Sequence, residues 1–287
     1  MRTLLSVTLV AVLLLGTASP LPTAATPPAL RCTAPEAVTH FKVSLPNTAR
    51  AIRRGAALVI VAIGSSSTQG VGASDQAHTY PALLAEELQH RWPRLAVTVV
   101  NKGVGGETAD QMLARFTQDV LPYHPQLVIW QTGSNSVLQS RDVQGYEKTI
   151  REGITRLKAA HMDVILMDPQ YAPRILGRPI HKAIVDTIGE VSNDLKVAVF
   201  RRFAVMRHWV TSGQYRMEDI ISNDQLHMND ASYHCIARLL ADSLVSAALA
   251  TRLPQADAPH DDWQRITHGK LGSSALNDTV DEFICGL

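Results

Sequence analysis

The sequence has little cysteine: three in 287 residues, too few for a scaffold held together by disulfides. It has no excess of charge of either sign. Lys and Arg number 27 against 26 Asp and Glu, a formal net charge of +1, where a binder of nucleic acid or anionic membrane shows a basic surplus. Aromatics are sparse, and four Trp, five Phe and six Tyr supply no evident stacking platform for a long glycan. The longest apolar run, Leu4 to Leu15, has twelve residues, short of the roughly 20 that a spanning helix needs. The Walker phosphate pattern is absent, and Gly103-x-Gly105 is followed by Thr108 where a dinucleotide loop carries its third glycine. Neither His-Glu-x-x-His nor Cys-x-x-Cys occurs, so no metal site is read. There is no internal repeat. What remains is ordinary globular composition, 46% apolar and 18% charged.

The first segment reads as an address. Arg2, the short apolar run and the small residues from Gly16 to Ala25 have the layout of a secretory signal peptide, cleaved after Ala18 or after Ala25. An uncleaved anchor is the alternative. Loss of residues 1–25 removes only Arg2 and leaves 26 basic against 26 acidic residues. The expected location is secreted or periplasmic, an oxidising setting. Of Cys32, Cys235 and Cys285, the preferred pair is Cys32–Cys285, since chain ends often lie close together; three buried thiols are the alternative.

Apolar runs then alternate with amphipathic stretches, the pattern of an α/β domain with a parallel sheet between helices. The expected strands are Leu58–Ile63, Val97–Asn101, Leu127–Gln131, Val164–Met167 and Val197–Phe200. The expected helices are Tyr80–Arg91, Asp110–Val120, Tyr146–Ala160, Ile180–Leu195 and Ala231–Leu249. The domain spans residues 56–252, after a lead-in at 26–55 and before a polar tail at 253–287.

In open parallel sheets ligands bind beyond the carboxyl ends of the strands. Three loops there are rich in glycine, hydroxyls and amides: 64–70, 102–108 and 132–135. Ser66 sits in the first, in a turn flanked by Gly64 and Gly70. A serine hydroxyl needs an adjacent base. Among eleven histidines, His227 follows Asp224 by three residues in a loop before the last long helix, a spacing that lets the carboxylate orient the ring.

Gly64-Ser65-Ser66, Asn101-Lys102-Gly103-Val104-Gly105-Gly106, Gly133-Ser134-Asn135 and Asp224-Gln225-Leu226-His227 occur in the order and spacing of the SGNH hydrolase superfamily, also called GDSL esterases/lipases. The chain resembles that family from about Leu58 to about Leu249. It departs in one place: Ser65 stands where the family usually has Asp. The resemblance implies a flavodoxin-like α/β fold, a three-layer α/β/α sandwich around a five-stranded parallel sheet. It implies Ser66 as nucleophile, His227 as base and Asp224 as its orienting acid. It implies an oxyanion hole from the N–H groups of Ser66 and Gly106 and the side-chain amide of Asn135, with no metal or cofactor. Gly106 is expected to let the main chain approach without a Cβ in the way.

Each of these residues also has an ordinary use. Ser66 could cap a helix, with Ser65 and Ser67 as the better caps, and Asn135 could do the same. Asp219 or Asp230 could hold His227 in place of Asp224, although Asp230 is better read as the N-cap of the last helix. The expected function is an exported serine esterase releasing a short acyl group such as acetyl, from a small molecule or a carbohydrate, with the protein a monomer and no nucleic-acid or stable membrane partner. An acyltransferase or a lipase/thioesterase would use the same site. A binding protein that has lost catalysis is the reading from another class. The segments Ser136–Gly145 and Pro169–Pro179 are candidate pocket walls, and Gln170, Tyr171 and Arg174 could touch substrate or be solvated.

Overall fold

The computed structural model describes residues 30–251. The expected signal segment at 1–25, the expected tail at 253–287 and Cys285 lie outside the described residues. Five strands form one parallel sheet in the order β2-β1-β3-β4-β5: β1 Leu58–Gly64, β2 Val97–Gly103, β3 Leu127–Gln131, β4 Asp163–Met167 and β5 Ala198–Phe200. β3 and β4 are buried along their whole length, as strands covered on both faces must be. The expected α/β sandwich with a five-stranded parallel sheet is therefore the observed fold.

Helices follow each strand. The lead-in folds as α1 (Glu36–Thr39) and α2 (Pro46–Arg54), then α3 (Ser66–Gln69) and α4 (Tyr80–Arg91) follow β1. α5 (Ala109–Ala114) and α6 (Phe116–Asp119) follow β2; α7 (Ser134–Leu138) and α8 (Val143–Ala159) follow β3. α9 (Pro173–Leu176) and α10 (His181–Leu195) follow β4, and α11 (Arg202–Thr211), α12 (Met217–Ile220) and α13 (Asp230–Ala250) close the chain. The expected single helix Asp110–Val120 is broken at Arg115. Its guanidinium turns back to donate to the carbonyls of Gly64 (3.2 Å) and Lys102 (2.8 Å), at the ends of β1 and β2. Next to it, Phe116 stacks edge-on against Trp130 of β3, centroids 5.0 Å apart.

The lead-in has a defined place. Asp163, at the start of β4, accepts the N–H of Thr48 (2.8 Å) and of Asn47 (3.3 Å), capping the N-terminus of α2 from another part of the chain. The expected Cys32–Cys285 pair is not formed: Cys32 is bonded to Cys235 of α13, with Cα atoms 4.7 Å apart. The reason is local. Thr33 O accepts from Trp209 Nε1 (2.8 Å) and Arg31 N donates to Tyr215 Oη (2.7 Å), so the lead-in is laid along α11 and α13 and delivers Cys32 to the last helix.

Candidate active site

β1 ends at Gly64, and α3 begins two residues later at Ser66. The turn is possible only because residue 64 is glycine. A Cβ there would lie 2.1 Å from Thr68 Oγ1 and 2.7 Å from Gln131 Oε1. Ser65 takes the N-cap position but caps nothing. Its N–H and hydroxyl both donate to Gln131 Oε1, at 2.9 and 3.1 Å, and Thr68 Oγ1 donates to the same atom at 3.2 Å. Ser67 Oγ, buried, has no partner among the described residues. Neither of the expected caps is one, and Ser66 is left half-buried at the rim of the sheet.

His227 and Asp224 come from the loop between α12 and α13. Gln225 turns that loop with φ +60°, and Ser222 N donates to His227 O at 2.8 Å, closing it on itself. His227 is buried, 8% exposed, with Nε2 2.8 Å from Ser66 Oγ. Its Nδ1 is hydrogen-bonded to Asp224 Oδ2. With the ring proton on Nδ1, Nε2 is left as the acceptor for the Ser66 hydroxyl. Partial burial opposes the charge on Asp224. The bond from His227 outweighs it, together with donation from the N–H groups of His227 and Leu226 and from the Ser222 hydroxyl, and holds the carboxyl below the usual carboxylate range.

The other two acids are engaged elsewhere. Asp219 accepts from the Arg216 guanidinium (2.9 Å) and Asp230 from Ser74 N (2.8 Å). That second contact also corrects the expected N-cap. Asn229, not Asp230, caps α13, its Oδ1 accepting from Ser232 N at 3.2 Å.

Gly106 and Asn135 lie on the loop after β2 and on α7. Within the protein itself a Cβ at 106 would meet nothing within 4 Å. The requirement is φ, +82°, which an L side chain rarely adopts. Gly105 is the crowded position, where a Cβ would lie 2.9 Å from Gln69 Oε1 and 3.9 Å from Ser66 Cβ. Asn135 Nδ2 donates to Glu107 O at 2.8 Å and Gln139 Nε2 to Gly106 O at 3.4 Å, so α7 is tied to this loop. No acceptor among the described residues takes the N–H of Ser66 or of Gly106.

Beneath the loops runs a buried polar layer that motif reading does not reveal. Arg202, fully buried, donates from Nε to Asp168 O and from Nη2 to Gln170 Oε1, both at 3.0 Å. Burial pushes the Asp168 carboxyl up to about 7, against the bond from Phe203 N–H and the neighbouring arginine charges. Gln170 is 1% exposed, so it is neither a solvated loop residue nor a surface group open to substrate. Of the two expected walls, Ser136, Arg141, Asp142 and Gly145 line a depression with Ala109 and Asp110, and Pro173 lines another with Ser222 and Gln225.

Residues 31–250 match the non-GDSL lipase-like family. An acetylxylan esterase of Geobacillus stearothermophilus is 29% identical over 151 residues, covering 47% of this chain and 69% of the relative. Thioesterase 1/protease 1/lysophospholipase L1 of Escherichia coli K12 is 26% identical over 192 residues, covering 67% of this chain and 86% of the relative. Among solved structures, a two-domain esterase active on acetylated mannans superposes with a TM-score of 0.62 at 22% identity, over 77% of this chain and 60% of that one. The chain thus spans about three fifths of that esterase's length. At that identity the likeness is one of fold.

Proposed function

The chain belongs to the non-GDSL lipase-like family of the SGNH hydrolase superfamily, as a carboxylic ester hydrolase, and on that premise we propose an exported serine esterase that removes a short acyl group, such as acetyl, from a carbohydrate through an acyl-enzyme. The observation that carries the proposal is the continuous hydrogen-bonded line from Asp224 through His227 to Ser66 Oγ. The N–H groups of Ser66 and Gly106 have no acceptor of their own among the described residues.

The chemistry follows from that line. Ser66 Oγ attacks the ester carbonyl as its proton passes to His227 Nε2. The imidazolium so formed is stabilised by the Asp224 carboxylate, which stays ionised because of the donors around it. The carbonyl oxygen, now negative, accepts from the N–H of Ser66 and of Gly106 and from the second Nδ2 hydrogen of Asn135, the first being committed to Glu107 O. His227 then protonates the leaving alcohol. In the second half a water attacks the acyl-Ser66 and gives its proton to His227, which passes it to Ser66 Oγ as the acyl bond breaks, releasing the acid and restoring the serine hydroxyl.

The acyl class and the acceptor are supported by two relatives named for acetylated xylan and acetylated mannans. Export is supported by the signal-like layout of residues 1–25 and by the Cys32–Cys235 bond, which suits an oxidising compartment. The relative named as a thioesterase and lysophospholipase favours the second reading, longer acyl chains at the same site. One experiment separates the readings: hydrolysis of 4-nitrophenyl acetate, butyrate and octanoate by the protein and by Ser66→Ala. The proposal expects acetate to be the best substrate and the variant to be inactive. Preference for octanoate replaces the short-acyl reading, and an active Ser66→Ala removes the nucleophile.

A further inference from the structure

We propose that Gln170, in the loop after β4, is a positioning residue that fixes the spacing between the oxyanion donor Asn135 and the base His227; the inference rests on the serine-esterase reading above. None of the motifs that carry the family resemblance falls in that loop, yet its one buried amide reaches both halves of the site. Gln170 Oε1 accepts from Ser134 Oγ at 2.8 Å, and Ser134 immediately precedes Asn135 on α7. Gln170 Nε2 donates to Leu226 O at 3.0 Å, and Leu226 immediately precedes His227. The carboxamide is itself held by the fully buried Arg202, whose Nη2 donates to Oε1 and whose Nε donates to Asp168 O at the head of the same loop.

The grip on His227 acts through a rigid unit. The peptide joining Leu226 to His227 is planar, so its C=O and N–H move together. Gln170 holds the C=O edge, and Asp224 Oδ1 holds the N–H edge at 2.9 Å. The plane from which the imidazole springs is thereby fixed at both sides, as 2.8 Å contact between Nε2 and Ser66 Oγ requires. On the other arm, the bond to Ser134 pins the first turn of α7 and with it the depth at which Asn135 meets the oxyanion loop. All three of Ser134, Gln170 and Leu226 are buried, at 4%, 1% and 6% exposure, so water offers these bonds little competition. The amide touches no reacting atom. Its part is to keep the donor and the base in one frame while the carbonyl carbon moves from planar to tetrahedral.

The test measures kcat and KM for 4-nitrophenyl acetate in the wild type, Ser66→Ala, Gln170→Met, Asn135→Ala and the Gln170→Met/Asn135→Ala pair. Methionine keeps the length of glutamine and loses all three bonds. The expected result is a kcat about 10- to 100-fold lower in Gln170→Met with KM little changed, since small misplacements at a reacting centre cost this much. The double variant is expected to lose at least about threefold less than the product of the single losses, because one residue acts partly through the other. A Gln170→Met kcat within about threefold of wild type, or losses that simply multiply, would overturn the proposal. If Gln170→Met does not fold, Ser134→Ala decides: it removes one arm alone, a severalfold fall in kcat at constant KM supports the clamp, and an unchanged kcat overturns it. A Ser66→Ala protein that still turns over at the wild-type rate overturns the esterase reading and the clamp with it, whereas an inactive Ser66→Ala beside a fully active Gln170→Met overturns the clamp alone.

Discussion

Ser65 spends both its donors on a single atom, Oε1 of Gln131, at 2.9 and 3.1 Å. This contact explains how the chain accommodates serine where the GDSL pattern it resembles has aspartate. Ser65 is buried, 1% exposed, and a carboxylate there would face the Gln131 carbonyl oxygen. A hydroxyl can donate to that oxygen, and an ionised carboxylate cannot.

Gln131→Leu is therefore expected to be more damaging than its place at a strand end suggests. It leaves the N–H and hydroxyl of Ser65 without their acceptor, while the Thr68 hydroxyl keeps Tyr80 Oη at 3.1 Å. An unsatisfied buried donor costs roughly 1–3 kcal/mol. Chemical denaturation should show a loss of at least that size, and kcat should fall with it because the turn carrying Ser66 is released. An unchanged denaturation midpoint would show that the Ser65 donors find other partners.

Asp224→Asn tests the electrostatic half of the site. The amide preserves the shape of the loop but cannot stabilise an imidazolium as a carboxylate does, and it favours the wrong ring tautomer. The expected fall in kcat is on the order of 10⁴-fold. The melting temperature should shift little at neutral pH, since the side chain is 40% exposed and its pairing is screened. The sign of its linkage to folding is that of a depressed carboxyl: its contribution is present above the ordinary carboxylate range and is lost as the pH falls below it. Acid unfolding of the variant should accordingly begin from a shallower slope.

Asp168 predicts the opposite pH dependence. Its carboxyl is raised from 3.8 to about 7, chiefly by burial, so the folded protein binds that proton more tightly than the unfolded chain. The stability this confers is complete below the unfolded value and is lost as pH rises through about 7. The wild type should lose melting temperature relative to Asp168→Asn between pH 5 and pH 8. Parallel curves across that range would show that Asp168 does not titrate there.

The disulfide gives a fourth expectation. Cys32 and Cys235 are 203 residues apart, and a cross-link over so long a loop restricts the unfolded chain strongly. Disulfides of this kind contribute about 2–5 kcal/mol, or roughly 5–15 °C in a domain of this size. Cys32→Ser, or mild reduction, should lower the melting temperature by that amount while kcat at 25 °C stays near wild type. A loss of activity without a loss of stability would mean that the bond reaches the site through α13.

Much of this molecule was legible in its sequence, and the parts that were not share a cause. β3 has the ends its apolar run predicts, and the other strands differ from the predicted ends by one or two residues, because each holds a short run of β-branched or aliphatic residues. Ser66, Asp224 and His227 were legible because each stands in a short local pattern at a strand end or a final loop. Gln131, Gln170 and Arg202 carry no such pattern. Each looks like an ordinary polar residue beside a strand, and its meaning comes from partners 32 to 66 positions away. The cysteine pairing failed for the same reason: what brings Cys32 to Cys235 is where the lead-in lies against α11 and α13, and no local spacing records that.

The Cys32–Cys235 bond also makes the heart of the protein a covalent ring. Everything from residue 32 to residue 235 is closed upon itself, and Ser66, Gly106, Asn135, Gln170, Asp224 and His227 all sit inside that ring. One protease cut in any surface loop between those cysteines would open the circle without freeing a fragment. Ser66, His227 and Asp224 would stay on one molecule, and the cleavage would become visible as two pieces only when the sulfur–sulfur bond was reduced.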